Sequence, residues 1–162
     1  AEKNVNAEID RLMNIGGKRS VDSIHKELGH IMWEHVGMGR TKEGLEEGLK
    51  MLKALRQEFN TNLFVPGTKE GLNVELDKAI HLRDFIIMGE LIAYDALHRE
   101  ESCGGHFREE HQTEEGEAKR DDEHFFYVGA WEYQNNDETA PVLNKEPLEY
   151  EIIKVQTRNY KN

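Results

Sequence analysis

Residues 74–98 read VELDKAIHLRDFIIMGELIAYDALH, and how this stretch is read decides the fold. Asn73 can cap a helix start, and Leu76, Ala79, Ile80, Leu82, Phe85, Ile86, Leu91, Ile92, Ala93, Ala96 and Leu97 recur at helical spacing, which predicts a helix over about 74–99. Ile87 and Met88 make its middle apolar nearly all round, so cover on more than one side is expected, with Ile86 and Leu91 both buried.

Three shorter periodic segments precede it. Val5, Ile9, Leu12 and Met13 form a stripe over 2–15, ended by Gly16-Gly17. Behind Ser20, Ile24, Leu28, Ile31, Met32 and Val36 mark a second helix over 21–36. Behind Thr41, Leu45, Leu49, Leu52, Leu55 and Phe59 mark a third, with Lys and Glu at the other positions. Residues 60–72, with Pro66-Gly67 and Gly71, read as a loop. Short connections between amphipathic helices predict a mainly α protein, a three-to-four-helix bundle with spectrin-repeat-like up-down-up order.

Beyond Arg99 the periodicity vanishes. Ten acidic residues fall between 99 and 124, and QTEEGEAK (112–119) reads as a solvated loop. HFFYVGAWEY (124–133) and EYEIIKVQT (149–157) have strand-like composition, separated by a polar linker holding Pro141 and Pro147. The expected division is therefore a helical bundle over 1–98, then a charged segment with a small irregular or β-containing appendage over 99–162.

Composition narrows the function. A net charge of -11 with no basic run longer than two residues argues against wrapping nucleic acid. No 18-residue apolar run and no signal-peptide pattern occur, so direct membrane insertion is not expected. The single Cys forms no internal disulfide, which makes a cytoplasmic setting the default. A start at Ala1, directly into helical sequence, suits a piece of a longer polypeptide.

Candidate chemistry is sparse. His25, His30 and His35 are spaced by five, so they do not share a helix face and read as surface residues. Cys103-x-x-His106 has ligand-like spacing, but with one Cys a tetrahedral zinc site lacks partners, and no metal is expected. The Gly104-Gly105 pair could fold Cys103 toward His106 as nucleophile and base, although helix termination is the ordinary use of such a pair. No GxGxxG or GxxxxGK[ST] fingerprint is present. Arg99, Arg108 and Arg120 among Glu101, Glu109, Glu110, Asp121 and Asp122 suit either a solvated loop or a polar packing interface.

Those residues also carry a resemblance. HREESCGGHFREE (98–110), followed by RDDEHF (120–125), resembles the C-terminal signature of succinate dehydrogenase and fumarate reductase flavoprotein subunits, R-x-E-S-R-G-x-H-x-R-x-D-x-P and then R-D-D-E-N-W. Upstream, MWEHVGMGR (32–40) is similar to the family's M-x-x-x-V-G-x-x-R, and Glu43 to Leu49 to its E-x-L-x-x-G-L. The chain departs at Cys103, where the signature has Arg, and at Glu110, where it has Asp. It departs again at Gln112–Lys119, an insertion replacing the Pro-containing turn.

The resemblance implies a C-terminal helical domain that braces a flavin domain through a polar interface. Arg40, Arg99, Glu101, Ser102, His106, Arg108, Asp121 and Asp122 are the candidate interdomain contacts. It implies FAD-dependent interconversion of succinate and fumarate in the full-length protein, with catalytic and cofactor-binding residues in the preceding domains and none here. Implied partners are the N-terminal FAD-binding and capping domains, an iron-sulfur subunit and a membrane anchor. The implied location is cytoplasmic, peripheral to the inner face of the membrane. The L-aspartate oxidase branch shares the signature, but its chains end soon after it. A stand-alone acidic helical interaction module and a metal-binding bundle are the rivals from other classes.

Overall fold

The computed structural model describes residues 1–134 and 139–156. It divides into two compact units, Ala1–His98 and Arg99–Asn162.

The first unit contains α1 (Glu2–Asn14), α2 (Val21–Val36), α3 (Lys42–Asn62) and α4 (Val74–His98), with two-residue strands β1 (Arg19–Ser20), β2 (Gly39–Arg40) and β3 (Leu63–Phe64). Each of the three longer helices starts on a side-chain cap. Ser20 Oγ accepts from Ser23 N–H at 3.3 Å, Thr41 Oγ1 from Gly44 N–H at 3.0 Å and Asn73 Oδ1 from Leu76 N–H at 3.1 Å. α3 runs to Asn62 and β3 follows it, so the segment expected as a loop from residue 60 is regular through Phe64.

The helix directions follow from side-chain neighbours. Asp22 meets Lys78 at 3.1 Å, and Leu28 and Met32 both reach Gly89, so α2 and α4 run the same way. Arg19 meets Glu58 at 2.8 Å while His35 abuts Gly48, so α3 runs oppositely. The result is the expected up-down-up order. α1 packs alongside through buried Leu12, and Arg11 and Arg83 both bond to Glu8.

After α1 the chain turns at Gly16, φ +66°, a backbone conformation that side chains rarely adopt. Gly17 then donates to the Leu63 carbonyl at 2.9 Å, where a Cβ would stand 2.0 Å from the Asn62 backbone. This close approach starts the parallel pairing of β1 with β3, Arg19 opposite Leu63.

Every fully buried hydrophobic residue among the described residues lies in this unit, and the helices meet along predicted stripes. α4 presents Leu76, Ala79, Leu82, Ile86, Gly89, Ala93 and Ala96 inward. A Cβ on Gly89 would stand 3.1 Å from Met32 Sδ and 3.5 Å from Leu28 Cδ1, so small residues here let α2 and α3 close on α4.

The expectation that α4 is covered on more than one side is not met within the unit. Phe85, Ile87, Met88, Leu91 and Ile92 are 40–56% exposed. Periodicity identified them as apolar, but three helices cover only one side of α4.

In the second unit, β4 (Phe107–Arg108) and the four-residue α5 (Asp122–Phe125) precede an antiparallel hairpin of β5 (Tyr127–Glu132) and β6 (Val142–Pro147), with Tyr127 opposite Pro147 and Glu132 opposite Val142. The partner strand is therefore the supposed linker. Residues 149–156 form no strand, and Thr157 lies outside the described residues. Pro147 is tolerated because it ends a two-stranded ribbon, where a missing N–H interrupts no interior ladder. Gly104-Gly105 does not terminate the long helix either, since α4 ends at His98.

Ile86→Ala should cost about 2–5 kcal/mol, because it empties a site between three helices. Leu91→Ala should stay within about 0.5 kcal/mol in the 162-residue chain. Urea unfolding followed by circular dichroism separates the two, and an equal large loss at Leu91 would refute the exposed-face assignment.

Candidate functional site

The buried side chains of segment 99–125 are polar: Glu101, Ser102 and Arg108 are all at most 3% exposed. A buried polar group is destabilising unless bonded, so their partners set the local geometry. Ser102 Oγ accepts from Arg108 N–H at 2.8 Å and donates to the Arg108 carbonyl at 3.1 Å. Its own N–H donates to the Lys119 carbonyl at 2.9 Å. One serine thus ties together three points of a chain that has no periodic pattern.

Glu101 is the second tie. One carboxylate oxygen accepts from Arg99 Nη1 at 2.8 Å, and the other from Asp121 N–H at 2.9 Å. The same Arg99 nitrogen donates to the Phe125 carbonyl at 3.1 Å. The Arg99 guanidinium also stands over the rings of Phe125 and Tyr127, 5.7 and 5.1 Å from their centroids. His106 Nε2 bonds the Arg99 carbonyl at 2.9 Å, and Arg108 Nε donates to Glu110 at 3.2 Å.

The structure thus draws Arg99, Glu101, Ser102, His106, Arg108 and Asp121 into one bonded set. Asp122 pairs with Arg120 at its edge. Arg40 belongs to the first unit, where its Nε donates to the Val36 and Gly37 carbonyls at 3.1 and 3.0 Å and secures the end of α2.

Cys103 and His106 are joined by backbone bonds of 2.8 and 3.0 Å across the glycine turn, with Gly104 at φ +60°. The turn expected as one use of the glycine pair is present. Its imidazole Nε2, however, is directed to the Arg99 carbonyl, and Cys103 is exposed. His25 and His30 are exposed and His35 is half-buried, with the His25 ring 5.8 Å from that of Phe85. Among the described residues no three His, Cys, Asp or Glu side chains are placed to hold a metal.

Asp121 caps α5 by accepting from His124 N–H at 3.2 Å, and its carboxylate grips His124 Nδ1 at 2.9 and 3.0 Å. That ring contact holds the Asp121 carboxyl below the usual carboxylate range and raises the His124 imidazole above its ordinary value. The Asp121–His124 pair escaped the sequence reading. So did a hollow bordered by His111, Lys119, Arg120 and His124. The Gln112–Lys119 insertion was the signal for the hollow, since it brings His111 and Lys119 together.

The sequence model of the fumarate reductase flavoprotein C-terminal family matches residues 25–160. The fumarate reductase flavoprotein subunit of Proteus vulgaris is 29% identical over 153 residues, 94% of this chain and 24% of that protein. L-aspartate oxidase 2-a of Nicotiana tabacum is 35% identical over 92 residues, only 55% of this chain and 14% of that protein. A solved quinol–fumarate reductase with menaquinol molecules superimposes with a TM-score of 0.79 at 25% identity, covering 94% of this chain and 25% of that one. The chain spans about a quarter or less of the length of these relatives.

Ser102→Ala leaves the Arg108 N–H and carbonyl without their buried partner and should cost about 1–3 kcal/mol, read by chemical denaturation. The Asp121–His124 pair also sets a pH window. Its His124 part is complete below the unfolded value of about 6.5 and lost as pH rises through the raised folded value. Its Asp121 part is complete above 3.8 and lost as pH falls through the lowered one. NMR titration should show the His124 pKa returning toward about 6.5 in Asp121→Asn; an unchanged value would refute the pairing.

Proposed function

The chain belongs to the fumarate reductase flavoprotein C-terminal family, and from that premise we propose that it is the C-terminal structural domain of a succinate- or fumarate-converting flavoprotein, bracing the part that carries the flavin. The exposed apolar face of α4 is the observation that carries the bracing role. Five large apolar side chains on one helix form a patch of the kind that marks an interaction surface. Trp33, 80% exposed near the end of α2, adds another aromatic to the unit's surface.

The signature residues support the role differently from a simple polar interface. Arg99, Glu101, Ser102, His106, Arg108, Asp121 and Asp122 bond one another or nearby backbone, so they hold the segment in one shape for docking. Arg40 does the same for the end of α2. Contacts of these residues with the rest of the polypeptide are part of the proposal.

The described residues do not fit a dinucleotide cradle. The strands ahead of α2 and α3 feed helices whose first N–H groups are capped by Ser20 and Thr41, with no glycine-rich turn that would admit a pyrophosphate. FAD is therefore assigned to the remainder of the longer protein, its FAD-binding and capping portions, and no residue here is given a catalytic role. An iron-sulfur subunit and a membrane anchor are the further partners proposed. No described helix is long and apolar enough to cross a membrane, so any membrane association at the cytoplasmic face would run through such subunits. The L-aspartate oxidase reading is second, because its similarity stops short of the region that the fumarate reductase relative spans.

Met88→Glu with Ile92→Glu tests the brace. In the longer flavoprotein the pair should lower the melting temperature and the flavin retained on purification, while leaving the circular dichroism of the 162-residue chain unchanged. Wild-type flavin content and melting in the doubly substituted flavoprotein would sink the proposal.

A further inference from the structure

The insertion Gln112–Lys119 is a small hairpin. Thr113 N–H donates to the Glu117 carbonyl at 2.8 Å, Gly116 N–H to the Thr113 carbonyl at 2.9 Å, and Glu117 N–H to Thr113 Oγ1 at 3.1 Å. Gln112 bridges Ala118, and Lys119 N–H donates to the His111 carbonyl at 3.1 Å. These bonds set His111 and Lys119 side by side at the hairpin base. There they border an open hollow of about 560 Å³, with Arg120 and His124 on its other edge and Phe125 on its wall.

The charges around the hollow are unevenly satisfied. Two carboxylates line it, Asp121 and Glu100, and Asp121 is engaged by the His124 ring. Arg120 Nη2 is taken by Asp122, yet Arg120 Nε is buried with no acceptor among the described residues. A guanidinium offers Nε and Nη2 as a parallel fork, and here one tine is bonded while its neighbour is not. No carboxylate among the described residues lies within ion-pair distance of the exposed Lys119 ammonium. A buried donor with no acceptor is destabilising, and an oxyanion in the hollow would complete its bonding.

We propose that this hollow binds a small oxyanion, a carboxylate or phosphate group, received by the Nε edge of Arg120 and by Lys119, with His111 and His124 at its border. Glu100 opposes it by charge and keeps the site selective for ligands that reach the Arg120 fork. The oxyanion is either a free anion or a carboxylate side chain from the remainder of the longer flavoprotein. The site does not depend on the bracing role, since all its residues lie between 100 and 125.

The test titrates inorganic phosphate and malonate into the 162-residue chain against sodium chloride at matched ionic strength, following the Lys119 and Arg120 amides and the His111 and His124 rings by NMR. Saturable shifts that chloride does not reproduce are expected. Lys119→Gln keeps the backbone bonds of residue 119 and should weaken binding about fivefold or more, whereas Glu100→Gln should tighten it by about twofold or more. Repeating the titration on the longer flavoprotein separates the two sources. Binding in both proteins identifies a free anion, and binding confined to the 162-residue chain identifies a side chain already seated in the hollow. Linear shifts identical to those with chloride, or affinities unmoved by both substitutions, would overturn the site.

Discussion

A carboxylate with 3% exposure, that of Glu101, is the constraint around which the second unit is organised. Burying an anion is costly unless its oxygens find donors of good geometry, and both do, in Arg99 and in the backbone of Asp121. Those donors are two residues before it and twenty after it. The chain must therefore return to its own start, and the turn at 103–106 and the hairpin at 111–119 are the means of returning. Ser102 fixes the same return at two further points, Arg108 and Lys119. With no fully buried hydrophobic residue among its described positions, this unit is specified by donor and acceptor geometry.

The first unit follows a different logic. Its stability rests on apolar stripes that meet along α2, α3 and α4, with Gly89 and Ala93 permitting close approach. Ion pairs such as Arg19 with Glu27 and Glu58 are partly exposed and add little beyond fixing register. A three-helix bundle covers one side of its long helix, so the exposed apolar side of α4 is a consequence of helix count. A sequence made only for this bundle would carry polar residues there, and Phe85, Ile87, Met88, Leu91 and Ile92 signify cover from elsewhere.

What could be read in the sequence follows the range of the interactions. Helices were legible because caps and apolar periods are local: Ser20, Thr41 and Asn73 start α2, α3 and α4, as their positions imply. The side of α4 that is covered was not legible, because periodicity shows that Leu91 is apolar without showing what lies opposite. β6 was missed because its identity comes from pairing with β5, which outweighs the stronger strand composition of 149–156. The signature residues were legible as a group through resemblance, but not the bonds among them. Nothing in the spacing of Glu101 and Asp121 announces that one receives the backbone N–H of the other.

Cys103 shows how a departure from a family pattern can be absorbed. The residue sits at the start of the glycine turn, and the turn is closed by its backbone, which exchanges two bonds with His106. Its side chain is exposed, so replacing an arginine there removes no interior bond within this unit. The neighbouring His106 is less replaceable, since its ring reaches back to the Arg99 carbonyl and links the turn to the residue that also engages Glu101. Sequence identity across the signature therefore matters in proportion to burial and bonding. The exposed turn tolerates change, while Arg99, Glu101, Ser102 and Arg108 stand or fall together.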